Sequence, residues 1–207
     1  MTTYRPYVLP IAIVLLLLAF TLVLAKGQDI SITPEQIKNL PDFPREYIEE
    51  LKKHENFDLA QGKRQFVTLD KDKYGNTDIG YGFTKAEIED AMREGFLPLG
   101  STLPSRMTKA QADHRFEHVT LPTYRSIVRK MVKVVLTLDQ EFSLTAFVQN
   151  TGRTNLQKLI TGPERLNGGN YESVLAIMPK YYADLDLKPR AAFQIAIFKG
   201  ESPKPKT

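Results

Sequence analysis

Residues 62–84 read Gly62-Lys63-Arg64-Gln65-Phe66-Val67-Thr68-Leu69-Asp70-Lys71-Asp72-Lys73-Tyr74-Gly75-Asn76-Thr77-Asp78-Ile79-Gly80-Tyr81-Gly82-Phe83-Thr84. The stretch alternates over short runs and is rich in Gly, Asn and Asp. It predicts a small antiparallel unit turning at Tyr74-Gly75-Asn76. From Thr84 onward helix signals take over. Thr84-Lys85-Ala86-Glu87 has the spacing of a capping box, and Thr108 stands as an N-cap before Lys109-Ala110-Gln111. Further helices are expected at about 120–135, 138–150, 171–180 and 188–199. Upstream, Pro44 to Lys53 has helical periodicity, with Ile48 and Leu51 on one face. A small β unit followed by a run of helices defines the α+β class, not a parallel α/β sheet.

Around this core the chain changes character twice. Tyr7 to Ala25 is uncharged and dominated by Leu, Val, Ile and Ala, enough for a helix of about 28 Å, close to the hydrocarbon thickness of a bilayer. Two readings stand: an uncleaved transmembrane anchor, favoured by the length of the run, and a cleavable signal with Val23 and Ala25 at the cut site. In both, Arg5 stays inside and the chain from residue 26 is exported. Residues 26–43, with two prolines and a glycine, read as a linker with one short helical turn after Thr33-Pro34. Residues 44–200 make one domain, and 201–207 (ESPKPKT) a loose tail.

Composition narrows the chemistry. The 207 residues are 42% hydrophobic and 25% charged, a globular balance, and contain no cysteine. Disulfide frameworks, thiolate nucleophiles and cysteine-ligated metals are excluded. A net charge of +4 is only mildly basic and lacks the dense stripe of a nucleic-acid binder, but suits a polyanionic envelope.

Several residues are candidates for chemistry. Glu55 lies at i+7 from Ile48 and i+4 from Leu51, on the apolar face as the helix ends. It is either a partly desolvated carboxyl, suited by a raised pKa to general acid work, or a solvated glutamate at a fraying terminus. Asp70, Asp72 and Asp78 cluster around the expected turn, where aspartates also occur for turn chemistry alone. His114-Arg115-Phe116-Glu117-His118 fits H-x-x-E-H, a zinc-peptidase arrangement that also needs a third ligand; the plainer reading is a solvated helical face. Arg125, Arg129, Lys130 and Lys133 form a basic stripe at helical spacing, read as a solvated face able to attract anionic wall polymers.

Taken in order, these pieces resemble the phage-type lysozymes, glycoside hydrolase family 24. Leu51-Lys52-Lys53-His54-Glu55-Asn56-Phe57 is similar to the family's Leu-Lys-x-x-Glu-Gly-Phe, and Asp72 to Thr84 is similar to its Asp-x-x-Gly-x-x-Thr-Ile-Gly-Tyr-Gly-His-Thr. Met107-Thr108-Lys109-Ala110-Gln111-Ala112, Asp139 through Gly152, and Leu187-Lys188-Pro189-Arg190 through Phe198 resemble three later helices. The resemblance implies a lysozyme-like fold and a peptidoglycan hydrolase cleaving the β-1,4 bond between N-acetylmuramic acid and N-acetylglucosamine. Glu55 would protonate the leaving oxygen, and Asp72 would stabilise oxocarbenium charge and orient water, with no metal or cofactor.

The departures are specific. Sixteen residues separate Glu55 from Asp72, about eight more than in the family pattern. The family's water-positioning threonine falls on Asp78, with Thr77 one place early, and Ala191 and Gln194 replace an arginine and a glutamate of the last helix. A catalytically weak wall-binding module and a zinc peptidase using His114 and His118 are the alternative readings. The expected setting is the periplasmic face of the inner membrane, anchored through residues 7–25. There the protein would serve phage lysis or local wall opening for a conjugation or secretion complex.

Overall fold

Capping and dipole chemistry explain most helix boundaries. Helix α1 (Pro34–Lys38) begins with a full capping box between Thr33 and Gln36. Helix α2 (Arg45–Glu55) carries Glu46 in its first turn and Lys52, Lys53 and His54 in its last, complementing the helix dipole. Asn56 stops it in an extended conformation (φ −152°) and starts the next, since its side chain accepts from the Leu59 amide and so caps α3 (Phe57–Ala60). The computed structural model describes residues 33–71, 77–183 and 187–201.

Two antiparallel sheets follow. Strand β1 (Phe66–Thr68) pairs with the distant β5 (Arg106–Thr108), and β2 (Asp70–Lys71), β3 (Thr77–Ile79) and β4 (Phe83–Thr84) form a three-stranded sheet. The register sets Asp70 opposite Asp78, Lys71 opposite Thr77 and Ile79 opposite Phe83. The tip of the β2–β3 hairpin, residues 72–76, lies outside the described residues, as do residues 1–32 with the expected anchor, residues 184–186, and the tail from 202. Among the described residues no helix is long and apolar enough to cross a membrane.

Helix α4 (Lys85–Arg93) starts at the Thr84 N-cap and α5 (Lys109–Arg115) at a full Thr108–Gln111 capping box. A π-helical turn (Phe116–Thr120) joins α5 to α6 (Leu121–Met131). Then come α7 (Leu138–Thr151), α8 (Arg153–Ile160), α9 (Glu172–Ala183) and α10 (Lys188–Phe198). Every residue from Glu141 to Val148 of α7 is buried, so this helix is the axis of the domain and shows no amphipathic stripe. It contributes Phe142 and Ala146 to one core with Leu51, Ile79, Phe116 and Phe193, and Leu144, Phe147 and Val148 to a second with Ile127, Leu156 and Tyr182. The fold is a mainly helical α+β architecture with small antiparallel sheets.

Three local expectations are corrected. The described part of the expected linker, residues 33–43, has its helical turn after Thr33-Pro34 but packs on the domain: Ile37 and Phe43 are buried, Phe43 edge-on to Phe142 and under the Arg125 guanidinium. The basic stripe is solvated only in part: Arg129 and Lys133 are exposed, but Arg125 is buried, Arg125 and Arg129 both bind the buried Glu141 carboxylate, and Lys130 binds the buried Glu94. Finally, Thr84 forms only half of a capping box: its hydroxyl accepts from the Glu87 amide while the Glu87 carboxyl turns inward.

Candidate active site

The last residue of α2 is Glu55. Its neighbour Asn56 donates from Nδ2 to the Gly80 carbonyl at 3.0 Å, which ties the helix end to the β3–β4 turn. Gly82, at φ +77°, runs beside the carboxylate: a Cβ there would stand 3.5 Å from Glu55 Oε2. The other oxygen, Oε1, accepts a hydrogen bond from Arg190 Nη2, which also donates to Gln149 Oε1 at 2.6 Å. Three helices thus meet at one guanidinium, with α10 bringing Arg190, α2 Glu55 and α7 Gln149. The Glu55 side chain retains 9% exposure and Arg190 only 4%. Burial opposes the Arg190 charge, but the facing Glu55 carboxylate outweighs it and holds the guanidinium pKa above its ordinary value.

The α2 helix is itself locked in place. Lys52, nearly inaccessible, extends its ammonium to Asp113 at 3.0 Å, Glu49 at 3.2 Å and Glu117. The Tyr81 hydroxyl donates to the same Asp113 at 2.8 Å, so the hairpin, α2 and α5 share one charged network. Glu117 also accepts from Arg45 Nη1 at 2.6 Å. Burial works against its charge, yet Lys52 and Arg45 keep it below the usual carboxylate range. This assigns Glu117 of the H-x-x-E-H segment a structural partner set. His114 and His118 stack with ring centroids 4.5 Å apart, and among the described residues no metal-holding group of three forms.

On the hairpin, Asp78 stands opposite Asp70 and Thr77 opposite Lys71. Cross-strand partners share a face, so Asp70 and Asp78 project to one side and Thr77 to the other. Asp70 Oδ1 accepts from the Lys71 amide at 2.7 Å. Asp72, the expected second carboxylate, lies outside the described residues.

One acid was missed by sequence reasoning. Glu87 is 2% exposed, and its Oε1 accepts from the Thr120 hydroxyl in the π-helical turn. Burial pushes its carboxyl up to about 8, with the Glu55 charge acting in the same direction and Thr120 and Arg115 opposing. The Thr84-x-x-Glu87 spacing made the residue visible, but as a surface cap. Arg115, which lies over the Phe83 ring at 3.8 Å, has its own pKa lowered by burial despite Glu87.

The geometry is a glutamate buried at a helix end beneath a small antiparallel hairpin, in a mainly helical domain. The model of the phage lysozyme family matches residues 61–188, well over half of the chain. The chain belongs to the phage lysozyme family and is a lysozyme, a glycoside hydrolase acting on peptidoglycan. Solved structures share its fold. The muramidase domain of SpmX from Asticaccaulis excentricus is 22% identical with a TM-score of 0.54, over 77% of this chain and 98% of that one. The endolysin from Escherichia coli O157:H7 phage FAHEc1 is 20% identical with a TM-score of 0.55, over 79% and 98%. No curated protein sequence matches the chain.

Proposed function

We propose that the protein cleaves the β-1,4 bond between N-acetylmuramic acid and N-acetylglucosamine, with Glu55 as the general acid. The observation carrying this reading is the asymmetric fixing of the Glu55 carboxyl. Arg190 holds Oε1, while Oε2 lies against Gly82 on the hairpin side. Oε2 is therefore the oxygen that delivers a proton to the glycosidic oxygen, and the helix, Arg190 and Gln149 fix its direction before substrate arrives.

Asp72 is the second carboxylate in this reading. Asp78, on the same face as Asp70, replaces the family threonine in orienting water, while Thr77 on the opposite face does not. The reading takes direct attack by water with inversion as the stereochemical course, the one that goes with carboxyl groups about 6.5–9.5 Å apart. We place the domain outside the inner membrane, tethered through residues 7–25, and favour sustained local wall opening for a conjugation or secretion machine over phage lysis.

The test is hydrolysis of purified sacculi. Glu55→Gln should lose about 10²–10⁴-fold in rate or more, since the amide cannot supply a proton. Glu50→Gln should retain activity. Equal rates for Glu55→Gln and the parent sink the assignment.

A further inference from the structure

The residues between Glu55 and the hairpin do more than lengthen the connection. Helix α3 and the turn after it deliver the chain into β1, whose pairing with β5 makes a two-stranded ribbon. Val67 and Met107 face the core, so Phe66, Thr68, Arg106 and Thr108 face outward. Phe66 remains 49% exposed, the Arg106 guanidinium stacked over it at 3.8 Å from the ring centroid.

Between this ribbon and the first turn of α5 runs a groove of about 490 Å³, lined by Gln65, Phe66, Arg106, Thr108, Lys109 and Gln111 among others. No carboxylate lines it. Lys109 shares its charge with Asp113, and Thr108 and Gln111 hold each other in the capping box. Arg106 pairs with no carboxylate among the described residues. Its guanidinium stacks on the Phe66 ring, and a stacked guanidinium keeps its in-plane fork of donors for a ligand.

We propose that this groove is an accessory binding surface for the glycan strand of peptidoglycan, away from the scissile bond. It rests on the muramidase reading above. The chemistry fits a carboxylated saccharide. The aromatic ring packs on the apolar C–H face of a sugar, and Arg106 binds a carboxylate of the strand or its stem peptide bidentately. The position fits a polymer. Phe66 lies four residues before Asp70, so at most about 13 Å of chain separates them, and a glycan strand is long enough to reach both the groove and the hairpin. A long substrate held at two places gains effective concentration at the second once the first is engaged.

The experiment uses the full chain carrying Glu55→Gln, so that binding is read without cleavage, co-sedimented with purified sacculi. Adding Phe66→Ser or Arg106→Gln should weaken sacculus binding about tenfold each. Because both side chains are exposed, the variants should keep the parent's circular dichroism. In the active background the same changes should raise KM on sacculi. Unchanged sacculus binding by both variants overturns the proposal and leaves the Glu55 assignment standing. Binding to phosphatidylglycerol vesicles that falls with these variants, while sacculus binding does not, overturns it in favour of a membrane surface. Hydrolysis of sacculi by Glu55→Gln would instead defeat the catalytic assignment and leave the binding result interpretable.

Discussion

The end of α2 and the first turn of α4 each bury a glutamate, and the two meet different partners. Glu55 faces a guanidinium held by α10, whereas Glu87 faces the hydroxyl of Thr120. Withdrawal from water is common to both, so burial alone does not decide what a carboxyl does. The Arg190 pair supplies a compensating charge for Glu55, while Glu87 meets its surroundings by keeping its proton near neutral pH. Glu55 is held by a guanidinium through Oε1 and keeps Oε2 for the proton it delivers; Glu87 is held by a hydroxyl.

The largest effect should come from breaking the ion pair from one side. Arg190→Met leaves the Glu55 carboxylate buried without its guanidinium, and such losses cost about 3–5 kcal/mol. Glu55→Gln leaves Arg190 in the mirror situation. The double variant Glu55→Gln with Arg190→Met removes both charges and should recover part of the loss. Urea unfolding of the four proteins measures the coupling. If the two single effects simply add, Arg190 acts on Glu55 through packing alone and the contrast between the two glutamates is lost.

Glu87 gives a smaller and pH-dependent effect. Its folded pKa, about 8, lies above the ordinary 4.5. Below 4.5 both folded and unfolded chains hold the proton and the group takes nothing from stability. Between 4.5 and 8 the unfolded chain ionises while the folded one stays protonated, so stability falls as pH rises, by about 1.4 kcal/mol per unit. Glu87→Gln has no proton to lose. Its stability relative to the parent should therefore grow through this window, by on the order of 3 kcal/mol at pH 7 compared with pH 4, and level off above pH 8. Denaturation midpoints taken at several pH values would show it; a difference independent of pH would mean that Glu87 is charged in the folded protein.

What the sequence made legible was local. The hairpin followed by helices and the Thr33 and Thr108 caps follow from side chains acting within about four residues of themselves. Long-range partnership was not legible. Arg190 lies 135 residues from Glu55, and nothing in its own helix announces the contact. Arg125 and Arg129 read as surface because their spacing is that of a solvated stripe, and only the fold reveals that Glu141 lies inside α7 opposite them. Helix α8 carries no start signal in the sequence, since its N-cap is Gly152, which has no side chain to cap with. The ribbon partner of β1 is β5, forty residues away along the chain (66 against 106), beyond the reach of any hairpin signal.

The smallest expected effect isolates the contact between hairpin and acid. Gly62 and Gly82 adopt nearly the same left-handed conformation, at φ +71° and +77°. Alanine at either position meets the same backbone penalty of about 1–2 kcal/mol. A Cβ at Gly62 would have nothing within 4 Å, whereas one at Gly82 would stand 3.5 Å from Glu55 Oε2, an ordinary contact that takes up space beside the carboxylate. The two alanine variants should therefore be similarly destabilised but differ in catalysis. Gly62→Ala should hydrolyse sacculi at the parent rate once the folded fraction is matched. Gly82→Ala should be slower by about tenfold, the change expected if roughly 1.4 kcal/mol of alignment is lost at the acid. Equal rates in the two variants would show that Oε2 does not deliver its proton past Gly82, and would move the productive oxygen to the Arg190 side of the carboxyl.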